Sequence, residues 1–243
     1  MFRDTSTSAI SSLISNLNSA NFLGLTIDNT LSWKDHLTDL ISKLNRACYA
    51  IRTFKPFMTL HVIRSVYFSY FHSLLSYGII FWGNSCHSAS VFKIQKRTIR
   101  IITNKRKRDS CQQLFKTLQV LTAPSQYIFS LLVFVVKHKG LFLSNSEIHN
   151  INTRHNHNDH YCRKNLTLVQ KGVFHSGCKI FNHLPENIKV LSHDFKHFIS
   201  ALKCFLIEHT FYILEEFYQI TSNWLRSNCL FRCITCWYPD MWL

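Results

Sequence analysis

The chain has 243 residues, a length at which one or two domains and a sizeable buried core are expected. Hydrophobic residues make up 47% of it, which argues against global disorder. The 28 Lys and Arg residues exceed the 13 Asp and Glu residues by 15, and this excess favours a polyanionic partner, meaning nucleic acid or an anionic membrane surface.

The first predicted element is a small β-hairpin. Residues 22–27 are rich in strand-forming side chains, and Gly24 among them permits a kink or a close backbone approach. A second apolar segment at residues 10–17 is expected to pair with this strand. The polar residues 18–21 between the two segments are expected to form the turn.

A turn and a long helix are predicted next. Asp28-Asn29 is typical of a turn, and Ser32 stands at an N-cap position with Asp35 three residues later, as in a capping box. Helical spacing of apolar residues then begins at residue 33 and should end near Pro56, because the residue before a proline disfavours helix. The apolar positions are Trp33, Leu37, Leu40, Ile41, Leu44, Cys48 and Ile51.

The most informative segment for a partner is a predicted helix at residues 89–103. Its apolar side carries Val91, Ile94, Thr98, Ile101 and Ile102. Another face is expected to carry cations at i, i+3, i+4 and i+7, and a basic run follows the helix. The candidate phosphate-binding residues are Lys93, Lys96, Arg97, Arg100, Lys105, Arg106, Lys107 and Arg108, with no acid among positions 93–108.

Helices account for most of the remaining predictions. We expect them at residues 60–77, 114–121, 125–139 and 195–208, with Asp194 or Ser192 capping the last one. A polar linker is predicted at residues 140–165, and a proline-punctuated turn at residues 182–188. The predicted fold class is mainly α: a small N-terminal β-hairpin, a helical bundle, and a C-terminal helical segment.

Neither a metal site nor a membrane span is predicted. Cys229, Cys233 and Cys236 have ligand-like spacing, but the fourth ligand that structural zinc needs is lacking. Residues 65–92 carry no charged side chain, yet polar residues interrupt the run too often for a spanning helix. Scattered, odd-numbered cysteines and the polar N-terminal residues predict an intracellular protein, nuclear or cytoplasmic and not secreted.

No catalytic constellation is evident either. The sequence has no G-x-S-x-G motif and no glycine-rich phosphate-binding loop among its six glycines. We therefore predict no catalytic residue and no resident cofactor in this chain.

Several segments resemble the part of LINE-type, non-LTR retrotransposon reverse transcriptases (jockey and CR1 kind) that follows the catalytic palm. The opening segment FLGLTIDNTLSWKDH, at residues 22–36, is similar to their primer grip and the start of their thumb. Further likenesses follow in the family's own order. They are the "YG…WG" segment at 77–83, the "QKR" helix at 93–102, "NTR" at 152–154, "N-LP" at 181–185 and the ending at 211–217.

This resemblance implies a domain plan. Residues 1–32 would be the primer-grip-like hairpin, 33–140 the helical thumb, 141–219 the polymerase C-terminal region, and 220–243 a tail unrelated to the family. Phe22, Leu23 and Gly24 would approach the primer end of a template–primer duplex, and the palm and fingers of the parent polymerase would be partners.

The family is an RNA-directed DNA polymerase that uses Mg²⁺, held by adjacent aspartates in an "[FY]-x-D-D" hairpin. Here the only adjacent acid pair is Glu215-Glu216, in the wrong place, so this chain alone is expected to be inactive. Two alternatives remain open: a non-catalytic basic helical protein that binds a membrane surface or a partner, and a decayed fragment without function.

Overall fold

The computed structural model describes residues 19–143, 145, 148, 159–160 and 167–224. Within these residues the chain is mainly helical and begins with a two-stranded antiparallel hairpin, which confirms the predicted fold class. The predictions for residues 10–17, the NTR element, the cysteine triplet and most of the polar linker lie outside the described residues.

The hairpin is shorter than predicted, and its turn is elsewhere. Strand β1 (Ser19–Phe22) pairs with β2 (Leu25–Asp28), so residues 19–21, expected in the turn, form a strand. The two-residue turn is Leu23-Gly24, with φ angles of 49° and 75°. Positive φ at both positions matches the twist that a two-residue hairpin requires, and glycine adopts it without steric cost.

A carboxylate organises the passage from β2 into the first helix. The Asp28 side chain accepts hydrogen bonds from the Thr30 hydroxyl, from the Ser32 amide at 3.0 Å and hydroxyl at 2.8 Å, and from the Trp33 amide at 3.0 Å. Burial alone would raise the pKa of Asp28, but these hydrogen bonds outweigh burial and hold it well below its usual range.

The predicted capping box, with Ser32 as the N-cap and Asp35 as its partner, is therefore wrong. The Ser32 hydroxyl does accept a hydrogen bond from the Lys34 amide, at 3.3 Å. However, Asp28 takes the two amides that precede the helix, and Trp33 enters the helix from the left-handed region. Helix α1 (Lys34–Phe54) confirms the predicted long helix, and a 3₁₀ turn with Pro56 ends it.

The second predicted helix is present but irregular. It consists of α2 (Leu60–Val66), a π-helical segment (Tyr67–His72) and α3 (Ser73–Ser76). Gly78, with φ 61°, ends it and leads into α4 (Ile79–Trp82). A Cβ at Gly78 would lie 2.7 Å from the Leu25 side chain, so the glycine lets the hairpin pack against this turn.

Eight further helices follow, and four of them match predicted helices with shifted ends: α5 (Ser88–Ile102), α6 (Gln112–Thr117), α7 (Ala123–Lys137) and α11 (Phe195–His209). The other four were not predicted: α8 (Thr167–Gln170), α9 (Val173–Asn182), α10 (Glu186–Lys189) and α12 (Leu214–Trp224). The turn predicted at residues 182–188 is therefore only partly correct, because α10 begins directly after Pro185. Asp194 caps α11 as predicted, accepting the amides of Lys196 and His197. Pro124 lies in the first turn of α7, so that helix starts two residues before the predicted position 125.

One contiguous cluster of buried apolar side chains joins these helices, and it contains a fully buried polar residue, Gln95 of α5. Its amide NH₂ donates to the Tyr67 hydroxyl at 3.0 Å and to the Leu121 carbonyl at 2.9 Å. Its amide oxygen accepts the Ala123 N–H at 2.8 Å. Gln95 therefore ties α5 to the π-helical segment and to the start of α7.

No helix among the described residues is long and apolar enough to cross a membrane.

Replacing Gln95 by Met, which is similar in length, should lower the free energy of unfolding by about 2–4 kcal/mol. The substitution keeps apolar contact but leaves the carbonyl of Leu121 and the amide of Ala123 buried without their partner. Urea denaturation followed by circular dichroism measures the change. Gln113→Met on the exposed side of α6 is the control and should shift stability by less than about 0.5 kcal/mol.

Candidate nucleic-acid interface

The four cations predicted on one face of α5 divide into two pairs. Each residue of a helix turns by about 100°, so Lys93 and Arg97 lie about 160° on either side of the buried Gln95. Both are exposed. Lys96 and Arg100 are nearer to the packed side and half-buried. The prediction that all four point into solvent together is therefore only half realised.

Lys96 and Arg100 make contacts that support the fold. The Lys96 ammonium lies 4.6 Å from the centre of the Phe92 ring and 5.4 Å from that of Tyr212. The Arg100 side chain donates from Nε to the Asp109 carbonyl at 3.0 Å. These contacts hold two loops against α5: the loop before α12 and the loop at residues 103–110. Lys96 and Arg100 are therefore less available to a ligand than the exposed pair.

The end of α5 directs the basic run away from the core. Asn104 has a left-handed φ of 56°, its amide donates to Ile101, and the Lys105 amide donates to the Arg100 carbonyl at 2.9 Å. This is a Schellman cap, in which asparagine takes the position that glycine usually occupies. The helix therefore stops, and the chain turns outward immediately before Lys105–Arg108.

Asp109, the acid that follows the basic run, forms no ion pair with it among the described residues. The Asp109 carboxylate accepts the backbone amide of Arg106 at 2.9 Å. The four side chains at 105–108 are exposed and have no side-chain partner among the described residues. Together with the exposed pair on α5 they make up what we call the basic surface: Lys93, Arg97, Lys105, Arg106, Lys107 and Arg108.

Helices α1 and α5 lie side by side and run in the same direction. Arg97 donates from Nη2 to the Asn45 side chain, and further along both helices Lys55 donates to the Asn104 side chain. Partial burial lowers the pKa of Lys55. The two C-terminal helix ends thus meet beside the basic run, where cations also offset the negative ends of the helix dipoles.

A shallow groove lies between the two helices. It encloses about 330 Å³ and is lined by Asn45, Cys48, Tyr49, Arg52 and Arg97. We call it the α1–α5 groove. The sequence analysis assigned no binding role to any of its α1 residues. Helical spacing places these residues on one side of α1, but no local pattern indicates that α5 packs beside them.

The primer-grip-like residues are at the opposite end of α1. Phe22 and Leu23 form the exposed hairpin tip, with 62% and 74% of their surfaces accessible. The Tyr77 hydroxyl donates to the Leu23 carbonyl. The Thr26 amide donates to Nδ1 of His36, near the start of α1, at 3.4 Å. From His36 to Lys55 a helix rises about 28 Å, so the structure does not bring the hairpin and the basic surface into one site.

The hairpin tip is also apolar. Leu23, Tyr77 and Phe81 are exposed around it, and Trp33 stacks on Phe81 with ring centres 6.3 Å apart. The "YG…WG" segment thus has a structural explanation here, because Tyr77 holds the strained Leu23 turn and Trp82 is buried in the core.

Comparison with known proteins adds no identity: no protein-family model, curated protein or solved structure gives a significant match to this chain. Within the described residues, no group of three or more His, Cys, Asp or Glu side chains is placed to hold a metal ion. The case for a function therefore depends on the basic surface and the groove beside it.

The division of the α5 cations can be tested by their effect on stability. Arg100→Gln should lower the free energy of unfolding by about 1–3 kcal/mol, because it removes a charge-assisted hydrogen bond to Asp109. Lys93→Gln on the same helix should change it by less than about 0.5 kcal/mol. Thermal or urea denaturation of both variants measures the difference, and equal effects would contradict the division.

Proposed function

We propose that this chain is the thumb and C-terminal region of a non-LTR retrotransposon reverse transcriptase, and that it holds a template–primer duplex by its phosphate backbone. The binding role is supported by the basic surface, whose cations are exposed and form no ion pair with an acid among the described residues. The proposed family is supported by the several sequence segments that resemble it and occur in the same order. Recognition of a duplex through its backbone needs no base-specific side chains.

The packing of α5 supports nucleic acid over lipid as the partner. A helix that lies on a membrane inserts its apolar face between lipids. In α5 that face is already used, since Val91, Ile99 and Ile102 are buried in the core. What α5 offers to solvent is charge, which suits phosphates better than acyl chains.

The exposed hairpin tip is suited to a contact with the palm of such a polymerase. In the parent enzyme the palm would cover Leu23 and its apolar neighbours, and the chain would work inside the cell, in the nucleus or cytoplasm. The metal-binding aspartates would belong to that palm, so this chain would contribute positioning and no chemistry of its own.

Neutralising the basic run should weaken duplex binding in a salt-dependent way. Each neutralised phosphate contributes about 0.9 to the slope of log K against log salt for duplex DNA. Replacing all four residues at 105–108 by Gln should therefore flatten the slope by about three to four units. Fluorescence anisotropy with a 20-base-pair duplex at several salt concentrations measures this, and the loss should be the same for unrelated sequences.

A variant with the same net charge provides the control. Lys34, Lys43, Lys137 and Lys196 are exposed and lie outside the basic surface, so changing these four to Gln should leave most of the salt slope intact. If both variants lose the same slope, binding depends on net charge and the surface has no special role. If neither does, the proposed role is wrong, and flotation with anionic vesicles would test the membrane alternative.

A further inference from the structure

The α1–α5 groove has features that backbone binding to a duplex does not use. One of its residues is aromatic: Tyr49 lies within helix α1, away from both ends, and is 70% exposed. Among the described residues its side chain makes no hydrogen bond and no contact with another aromatic ring. A single exposed aromatic residue is ordinary on a protein surface, so its neighbours decide whether it can bind anything.

Two arginines flank this ring. Arg52 follows one helical turn later on α1, is exposed, and has no partner in the described part of the chain. Arg97 reaches across from α5, and its one hydrogen bond there goes to the neutral amide of Asn45. A guanidinium has five N–H donors, so Arg97 is held in place with most of its donors and its full charge available.

No acid competes for these arginines along either helix. Helix α5 contains no Asp or Glu. The acids of α1 are Asp35 and Asp39, which precede Tyr49 by ten or more residues and therefore lie about 15 Å or more away along the axis. An anion in the groove would meet two cations without a nearby carboxylate.

From this arrangement we propose that the groove binds one nucleotide unit of single-stranded nucleic acid. The base stacks on the Tyr49 ring, and the adjoining phosphate pairs with Arg52 and Arg97. Aromatic platforms with flanking cations are the usual means of binding single strands without sequence preference. This inference rests on the proposed function and adds the unpaired part of a template or primer strand as a second ligand.

The geometry favours an unpaired strand for two reasons. Bases inside a duplex are stacked on one another and cannot place a face on an exposed ring, whereas unpaired bases can be splayed out onto aromatic side chains. The groove volume of about 330 Å³ is also at the lower end of the range of about 300–1,000 Å³ for small-molecule sites, which suits one nucleotide better than a large cofactor.

The test uses the full chain and single-stranded decamers, one of RNA and one of DNA, each with 2-aminopurine at a central position. Tyr49→Ala should weaken binding of both by roughly 5- to 140-fold and abolish the fluorescence change that stacking causes. Tyr49→Trp should retain both signals. Tyr70→Ala, at another exposed tyrosine, is the matched control and should bind like the unchanged chain. Circular dichroism verifies that the variants are folded.

A strand with an abasic central position separates stacking from charge. If the base stacks on Tyr49, the unchanged chain should bind this strand weakly and Tyr49→Ala should make no further difference. Arg52→Gln should lower the salt slope for the intact strand by about 0.7. Equal binding of the intact and abasic strands, or full affinity in Tyr49→Ala, would overturn the inference.

These outcomes are distinguishable from failure of the proposed function. Tyr49→Ala should keep its affinity for duplex, since stacked base pairs do not use the ring. Loss of duplex binding on neutralising residues 105–108, with no effect of Tyr49→Ala on single strands, would leave the proposed function standing and remove only this inference. A chain that binds neither ligand would remove both.

Discussion

The burial of a single amide, that of Gln95, fixes the orientation of the most basic helix in this chain. All of its hydrogen-bonding contacts lie inside the core, where it satisfies a hydroxyl, a carbonyl and an amide from two other segments. Rotating α5 would leave these groups unpaired at a cost of about 1–3 kcal/mol each. Because Gln95 cannot leave the core, Lys93 and Arg97 on the opposite side of α5 must face solvent. An internal constraint thus determines which charges a ligand can meet.

The same helix has two cations that pack against other side chains or loops and two that are exposed to solvent. Lys96 and Arg100 differ little from their neighbours in sequence, yet they contact aromatic rings and a loop carbonyl. The side chains of the basic run after the Schellman cap have no such partner among the described residues. Counting cations from the sequence overestimates what is available to a phosphate. Parallel packing of α1 against α5 then adds a feature that neither helix has alone: a groove lined by a tyrosine and by one arginine from each helix.

Local patterns predicted the long helices α1, α5, α7 and α11 well, but they missed α8, α9, α10 and α12 and predicted the long-range contacts poorly. The spacing in α1 and the Asp194 cap of α11 depend on residues within one or two turns, so both were predictable. The hairpin turn was not, because Leu23 with positive φ is unusual and is held by Tyr77, 54 residues away. The burial of Gln95 could not be predicted either, because it stands beside two cations in the sequence and its hydrogen-bond partners are 26–28 residues away.

The proposed function requires that the basic surface, and no other group of lysines, contacts a nucleic-acid backbone. Lysine footprinting tests it directly: the full chain is acetylated with and without a saturating duplex, and each modified lysine is quantified by mass spectrometry. We expect strong protection of Lys93, Lys105 and Lys107, with little change at Lys34, Lys43 and Lys196. Equal protection of all lysines, or protection confined to Lys34, Lys43 and Lys196, would contradict the proposed function.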